Sequence, residues 1–241
     1  GTVEFRDVTV TKLPADATNP DALDPIDEQN DPIIRLQQQD FPVIDYHVHL
    51  KGWGKEAAHL KSMNYGINYS IAPNCGIGFT ITNDAQVIEF CDSTQHMPFM
   101  FGMQGEGREW PRTFSADSRG RFDYVFTDAL TFTDHKGRRT LLWIDDQVFV
   151  DIPHEEYMDL IVDKIVEVIE TEPIDVYVNP CFLPTVMEKD YDKLWTQPRI
   201  DRVVAALKKT GIALEINAYY GIPNFATIRA ATTLSMRGCV Q

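Results

Sequence analysis

From Phe41 onward, short apolar runs alternate with stretches whose apolar residues recur at helical spacing. The runs predict strands at Val43–Tyr46, Tyr69–Ala72, Phe99–Met103, Tyr124–Thr127, Asp175–Val178 and Ala213–Ile216. Between them, helices are expected over Lys55–Tyr65, Asp84–Thr94, Glu156–Thr171, Arg199–Thr210 and Pro223–Leu234. Strands that are apolar on both faces and alternate with helices imply a parallel sheet. One segment breaks the rhythm. In "TFTDHKGRRTLLW" the flanks alternate around the turn residues Asp134 to Gly137, which predicts a β-hairpin with His135 exposed at its tip. The run "EVIETEPID" reads as a solvated helix end.

Residues 1–40 behave differently. "LPADATNPDALDPIDEQNDP" is rich in Asp, Pro and Asn and lacks apolar periodicity, so an extended N-terminal arm is expected there, with the folded domain over 41–241. Within it "TVEFRDVTVTKL" alternates well enough for a short strand, at an edge or on a neighbouring subunit.

Repeated βα units suit either a closed barrel or an open doubly wound sheet. What separates them is where the polar residues fall. His47 and His49, Asn74 and Cys75, Glu106, Asp128, Asn179, and Glu215 with Asn217 each follow or end a predicted strand. In a barrel all of these ends converge on one mouth, whereas an open sheet unites only those near its switch point. "NCGIGF" lacks the third glycine and the Lys-Ser/Thr ending of a phosphate loop, which weighs against the open sheet. The expected fold is therefore α/β: a TIM-like distorted (β/α) barrel of about six to seven parallel strands.

Composition narrows the function. The 241 residues carry a net charge of −14, which argues against a sequence-independent grip on nucleic acid or an anionic membrane and favours a small-molecule substrate. No apolar run approaches the length of a membrane span, so a soluble protein is expected, cytoplasmic, or periplasmic or secreted after loss of an upstream signal segment. Four cysteines lie far apart with no C-x-x-C pair, so reduced core or pocket thiols are expected rather than disulfides or a structural zinc site.

The chemistry centres on "VIDYHVHL". His47 and His49 are two residues apart on a strand, hence on one face, where two imidazoles can hold one metal ion. The competing reading is a histidine pair satisfied by hydrogen bonds at a strand end. Glu215 and Asn217 share a face and either meet the pocket or bond to each other. Asp128 is a substitute ligand or a helix N-cap. Arg108 with Trp110 would bind an anionic or sugar-like substrate, or hold the loop as an ion pair, and Lys51 would orient an anion unless it is simply exposed. An ammonium at Lys55 would oppose a cation. His59, His96 and His154 have no partner at ligand spacing and read as structural.

Five segments in order, "VIDYHVHL", "MQGEGREW", "RFDYVFTDALTF", "PIDVYVNP" and "GIALEINA", resemble the PHP (polymerase and histidinol phosphatase) family of metal-dependent phosphoesterases, near the amidohydrolases. The resemblance spans about Phe41 to Ala231 and implies a distorted seven-stranded barrel with divalent ions at the strand C-termini. By that likeness His47 and His49 match the opening His-x-His, and Glu106 matches the metal-bridging carboxylate. Departures are numerous. Asn74 and Cys75 stand for an Asp-His, Leu130 for a histidine and Asn179 for the histidine of a His-Pro. The tail "TTLSMRGCVQ" runs out without the final strand and its Asp-x-His ligands, so the barrel is expected to be incomplete at the C-terminus, its edge covered by the arm or by a second copy in a homo-oligomer.

The functional expectation is a hydrolase for a small-molecule phosphoester, amide or C–O bond, with His47, His49 and Glu106 holding Zn, Mn or Fe. Glu106, Asp128 and Glu215 would serve catalysis, and Lys51, Arg108, Asn179 and Asn217 would bind substrate. The alternative is a diverged, non-catalytic barrel with a decayed metal site, or one binding sugar-like ligands through Trp53, Trp110 and Arg108.

Overall fold

A computed structural model describes residues 31–52, 54–233 and 238–240. The strand expected in "TVEFRDVTVTKL", most of the arm and Trp53 lie outside the described residues. Two units separate after Phe41. In the first, a helix α1 (Pro32–Gln37) forms where an extended arm was expected. Asp31 caps it, its Oδ1 accepting the N–H groups of Ile33 (2.8 Å) and Ile34 (3.2 Å), and Pro32 occupies the first turn, where a missing N–H costs nothing.

In the second unit the chain runs β1 (Ile44–Val48), α2 (Lys55–Tyr65), β2 (Asn68–Ile71), β3 (Asn74–Cys75), α3 (Asp84–Thr94), β4 (Met100–Gly105), α4 (Trp110–Thr113), α5 (Ala116–Arg119) and β5 (Tyr124–Thr127). There follow the hairpin β6 (Thr131–Thr133) and β7 (Arg139–Leu141), then α6 (His154–Thr171), β8 (Val176–Tyr177), α7 (Tyr191–Leu194), α8 (Gln197–Thr210), β9 (Ala213–Ile216), α9 (Phe225–Thr233) and β10 (Gly238–Val240). The sheet order is β1-β2-β4-β5-β8-β9-β10, with β3 added beside β4, and every pairing along it is parallel. Strands and flanking helices thus make a distorted, incomplete TIM-like barrel. The tail, expected to lack a last strand, does supply a short one. β10 pairs with β9, Cys239 standing opposite Glu215, and also comes close to β1. At three residues it leaves the seam of the barrel only partly closed, and β1 beside it is half-buried along its whole length.

Packing follows the predicted periodicities. α6 turns Tyr157, Ile161, Val162, Ile165 and Val168 inward at three- and four-residue spacing. Alongside it α8 buries Ile200, Val203, Val204 and Leu207, and Arg199 stitches the two helices through Glu155 (2.7 Å) and Asp159 (2.7 Å). Trp110 is fully buried against Gly105, where an added Cβ would come within 2.5 Å of the indole, so only glycine lets the ring lie on the strand. Its N–H donates to Glu172 (2.8 Å), so Trp110 is a core residue rather than a sugar platform, and within "EVIETEPID" Glu172 turns inward while Glu167, Glu170 and Thr171 stay exposed as expected.

Candidate metal centre

β1 delivers the two histidines to the strand ends, as its two-residue period requires. His47 Nε2 and His49 Nε2 lie 3.0 Å apart. Their other ring nitrogens are already engaged: His47 Nδ1 meets Glu215 Oε1 at 2.7 Å, and His49 Nδ1 donates to the Ala72 carbonyl at 2.8 Å. A carbonyl can only accept, so the His49 hydrogen sits on Nδ1 and its Nε2 presents a lone pair. Gln104 Oε1 stands 3.0 Å from His47 Nε2. These acceptors converge on a point that calls for positive charge. Two nitrogens bound to one ion at about 2.1 Å each are about 3 Å apart at a right angle and about 3.4 Å apart at the tetrahedral angle, so the spacing falls at the close end of what a shared ion takes.

Without a metal, a proton answers the same demand. Burial works to lower His47, but the hydrogen bond and charge of Glu215 outweigh it and the imidazole ends above its ordinary value. Burial and the neighbouring His47 charge push His49 down to about 4. The two rings are thus driven apart, His47 upward and His49 downward.

The carboxylates form a second cluster. An added Cβ on Gly76 would lie 2.4 Å from the Glu106 carbonyl oxygen, so a glycine there lets the end of β3 close on the end of β4. Asn74 then donates to Glu106 Oε1 at 2.5 Å, occupying the carboxylate that was expected as third metal ligand. Burial and the nearby Asp128 charge push Glu106 up to about 7. Asp128, raised by burial, accepts from the Leu130 N–H (2.9 Å) and from the Asn179 side chain (3.0 Å), an arrangement that makes a local turn rather than a helix cap. Asn179 sits at φ 49°, a left-handed conformation that Asn tolerates, and there its N–H donates to Glu215 Oε2 at 2.7 Å. His47, Glu215, Asn179 and Asp128 are thus one bonded chain across four strand ends. Among the described residues, no three His, Cys, Asp or Glu side chains gather tightly enough to hold an ion by themselves.

A cavity of about 230 Å³ opens beside this cluster. Gln104, Glu106, Asp128 and Asn179 form its polar wall, and Leu130, Trp143, Phe182 and Tyr220 its apolar one. Sequence reading missed Gln104, Trp143, Phe182 and Tyr220. Gln104 did carry a signal, standing two residues before Glu106 on the same strand face. The aromatic residues come from loops and carried none.

The remaining candidates lie elsewhere. Arg108 donates to Glu172 (3.0 Å), Thr127 (3.1 Å) and the Asp128 carbonyl (2.7 Å), and lines a separate cavity of about 470 Å³ beside Arg112 and Lys164. Asn217 accepts the Tyr220 N–H at 3.1 Å and exchanges backbone bonds with Ile222, so it shapes the loop carrying Tyr220. Lys51 is exposed after β1, near enough for its charge to help lower His49. Lys55 donates to Ser93 at 3.2 Å. His59 packs edge-on against Phe99, His154 pairs with Asp190 (3.3 Å), and the exposed hairpin-tip His135 pairs with Asp151 (3.2 Å). Cys75, Cys91 and Cys181 are free thiols.

No family model and no curated protein matches the chain. Among solved structures, the chain is similar to the histidinol phosphate phosphatase of Lactococcus lactis subsp. lactis Il1403, which was crystallised with zinc, L-histidinol and phosphate. The match has a TM-score of 0.50 at 12% identity and covers 82% of this chain and 86% of that one. At that identity the likeness speaks for the fold, and the fold of this chain is PHP-like.

Proposed function

We propose that the chain is a metal-dependent hydrolase of small molecules, with a divalent ion of the Zn, Mn or Fe type held by His47 Nε2 and His49 Nε2. One observation carries this reading: the two Nε2 atoms, 3.0 Å apart, have their opposite nitrogens fixed by Glu215 and by the Ala72 carbonyl. Anchoring of that kind orients imidazoles as ligands. Mixed nitrogen and oxygen donors suit these ions, and this reading adds Glu106 as the third ligand, in exchange for its bond to Asn74. When bound, the ion supplies Lewis-acid activation of water and of the scissile bond.

The chain's own groups would do the rest. Glu215 holds His47 in one tautomer and is a positioning residue rather than a catalytic one. Asp128, fixed by Leu130 and Asn179, and Glu106, which titrates near neutrality, line the cavity and would take and return protons. The scissile bond is a phosphoester, an amide or a C–O bond.

A second reading, a diverged barrel with a decayed site, draws support from the Asn74 to Glu106 bond, which satisfies the carboxylate without metal. Elemental analysis of protein purified without chelator separates the two. Near-stoichiometric divalent metal, abolished in the His47→Ala/His49→Ala double variant, is the expected result; metal content unchanged in that variant, or absent from the wild type after zinc loading, overturns the proposal.

A further inference from the structure

We infer that the cavity takes small, ring-bearing molecules that are uncharged or cationic, reacting at an amide or carboxylic ester, and excludes phosphomonoesters. The inference rests on the hydrolase reading and narrows its substrate class. Its first support is charge. The cavity wall carries Glu106 and Asp128, and among the described residues no Arg or Lys lines it. Arg108, the cation nearest in sequence to Glu106, has both terminal guanidinium nitrogens bonded, to Glu172, Thr127 and the Asp128 carbonyl, and lines the other cavity. Lys51 is exposed outside. Glu215 is itself engaged by His47 and the Asn179 N–H, so the carboxylates that face the cavity are those of Glu106 and Asp128. A phosphomonoester would bring two further negative charges to a wall without a basic side chain, and like charges in a partly enclosed site repel.

The second support is the opposite wall. Trp143 is 40% exposed and Tyr220 62% exposed, both at the cavity, and Tyr219, 90% exposed, stands edge-on to Tyr220 with ring centroids 4.9 Å apart. Aromatic faces left in water beside a polar cluster are a stacking surface for a flat ring or the apolar face of a sugar. A cavity of about 230 Å³ has room for one ring and a short reacting group. It is below the roughly 300 Å³ at which drug-sized sites begin. In the reaction, the oxygen of water bonds to the carbonyl carbon and the C–N or C–O bond breaks. One proton of the water goes to the leaving nitrogen or oxygen, and the other stays with the acid product or passes to solvent.

Tryptophan fluorescence and calorimetric titrations of the zinc-loaded protein with benzamide and with phenyl phosphate test this directly. Benzamide is expected to bind saturably and at least tenfold more tightly than phenyl phosphate. Trp143→Ala and Tyr220→Ala, exposed positions whose folding is checked by circular dichroism, are each expected to weaken benzamide at least fivefold. Phenyl phosphate binding as tightly as benzamide, benzamide binding untouched by both variants, or no saturable binding of either probe would each overturn the inference. Metal content is measured on the same samples. A metal-loaded protein that prefers phenyl phosphate refutes the substrate class and spares the hydrolase reading, whereas a metal-free protein that still prefers benzamide does the reverse.

Discussion

Glu215 never touches the cavity, yet the candidate centre depends on it, since one oxygen fixes His47 and the other fixes the Asn179 backbone. Glu215→Gln keeps the shape and removes the charge. Zinc affinity, measured by competition with a chromogenic chelator, is expected to fall about 10–100-fold while the fold persists, as befits a group acting through a ligand rather than as one. An unchanged affinity would remove Glu215 from the centre. At this scale the sequence was half legible. His47 and His49 declared themselves because a two-residue period fixes which face they share. The bonds of Glu215 to Asn179 and of Asn179 to Asp128 did not, because they depend on the register of three strands separated by helices. Glu172 was misread for a similar reason: its partner Arg108 lies 64 residues away, and nothing local marks a helix-end glutamate as paired.

Helices of nine residues or more and strands of four or more emerged within a few residues of where the pattern put them. Lys55–Tyr65, Asp84–Thr94, Tyr124–Thr127 and Ala213–Ile216 match the structure end to end. Short pieces did not emerge. α1, α4, α5 and α7 span too few turns to show a repeat, and β3, at two residues, shows no alternation. The hairpin was read correctly from its turn chemistry, and its stability rests on Asp134. That side chain, fully buried, accepts from the Lys136 N–H (2.9 Å), the Arg138 N–H (2.8 Å) and the Arg138 guanidinium (2.7 Å). Asp134→Ala leaves two backbone donors without their acceptor, at a cost of about 1–3 kcal/mol. For a domain of this size that is roughly 2–4 °C in melting temperature per kcal/mol, readable by thermal unfolding. Because the hairpin leads into Trp143, the variant is also expected to loosen the apolar wall of the cavity.

For the whole molecule, the sequence foresaw a parallel barrel left imperfect at its C-terminal end, and the short β10 shows how the imperfection is handled. β10 shields the free edge of β9 directly opposite Glu215. Cys239→Pro removes one ladder N–H from β10. The expected result is a lower melting temperature together with weaker zinc binding, since β9 carries the support of His47. A lower melting temperature with zinc affinity intact would show that edge and centre are independent. No helix among the described residues is long and apolar enough to cross a membrane.

The bond between His47 and Glu215 joins residues 168 apart in the chain. On a ribosome, β1 is therefore made early, and although Ala72 follows soon for His49, His47 must wait for the Glu215 carboxylate until nearly the whole domain has emerged. Late-closing contacts of this span slow folding. An ion captured too soon, by His47 and His49 alone, would meet a half-built clasp. Nascent chains stalled before and after residue 215 should differ sharply in their resistance to protease, and added zinc should protect only the longer one.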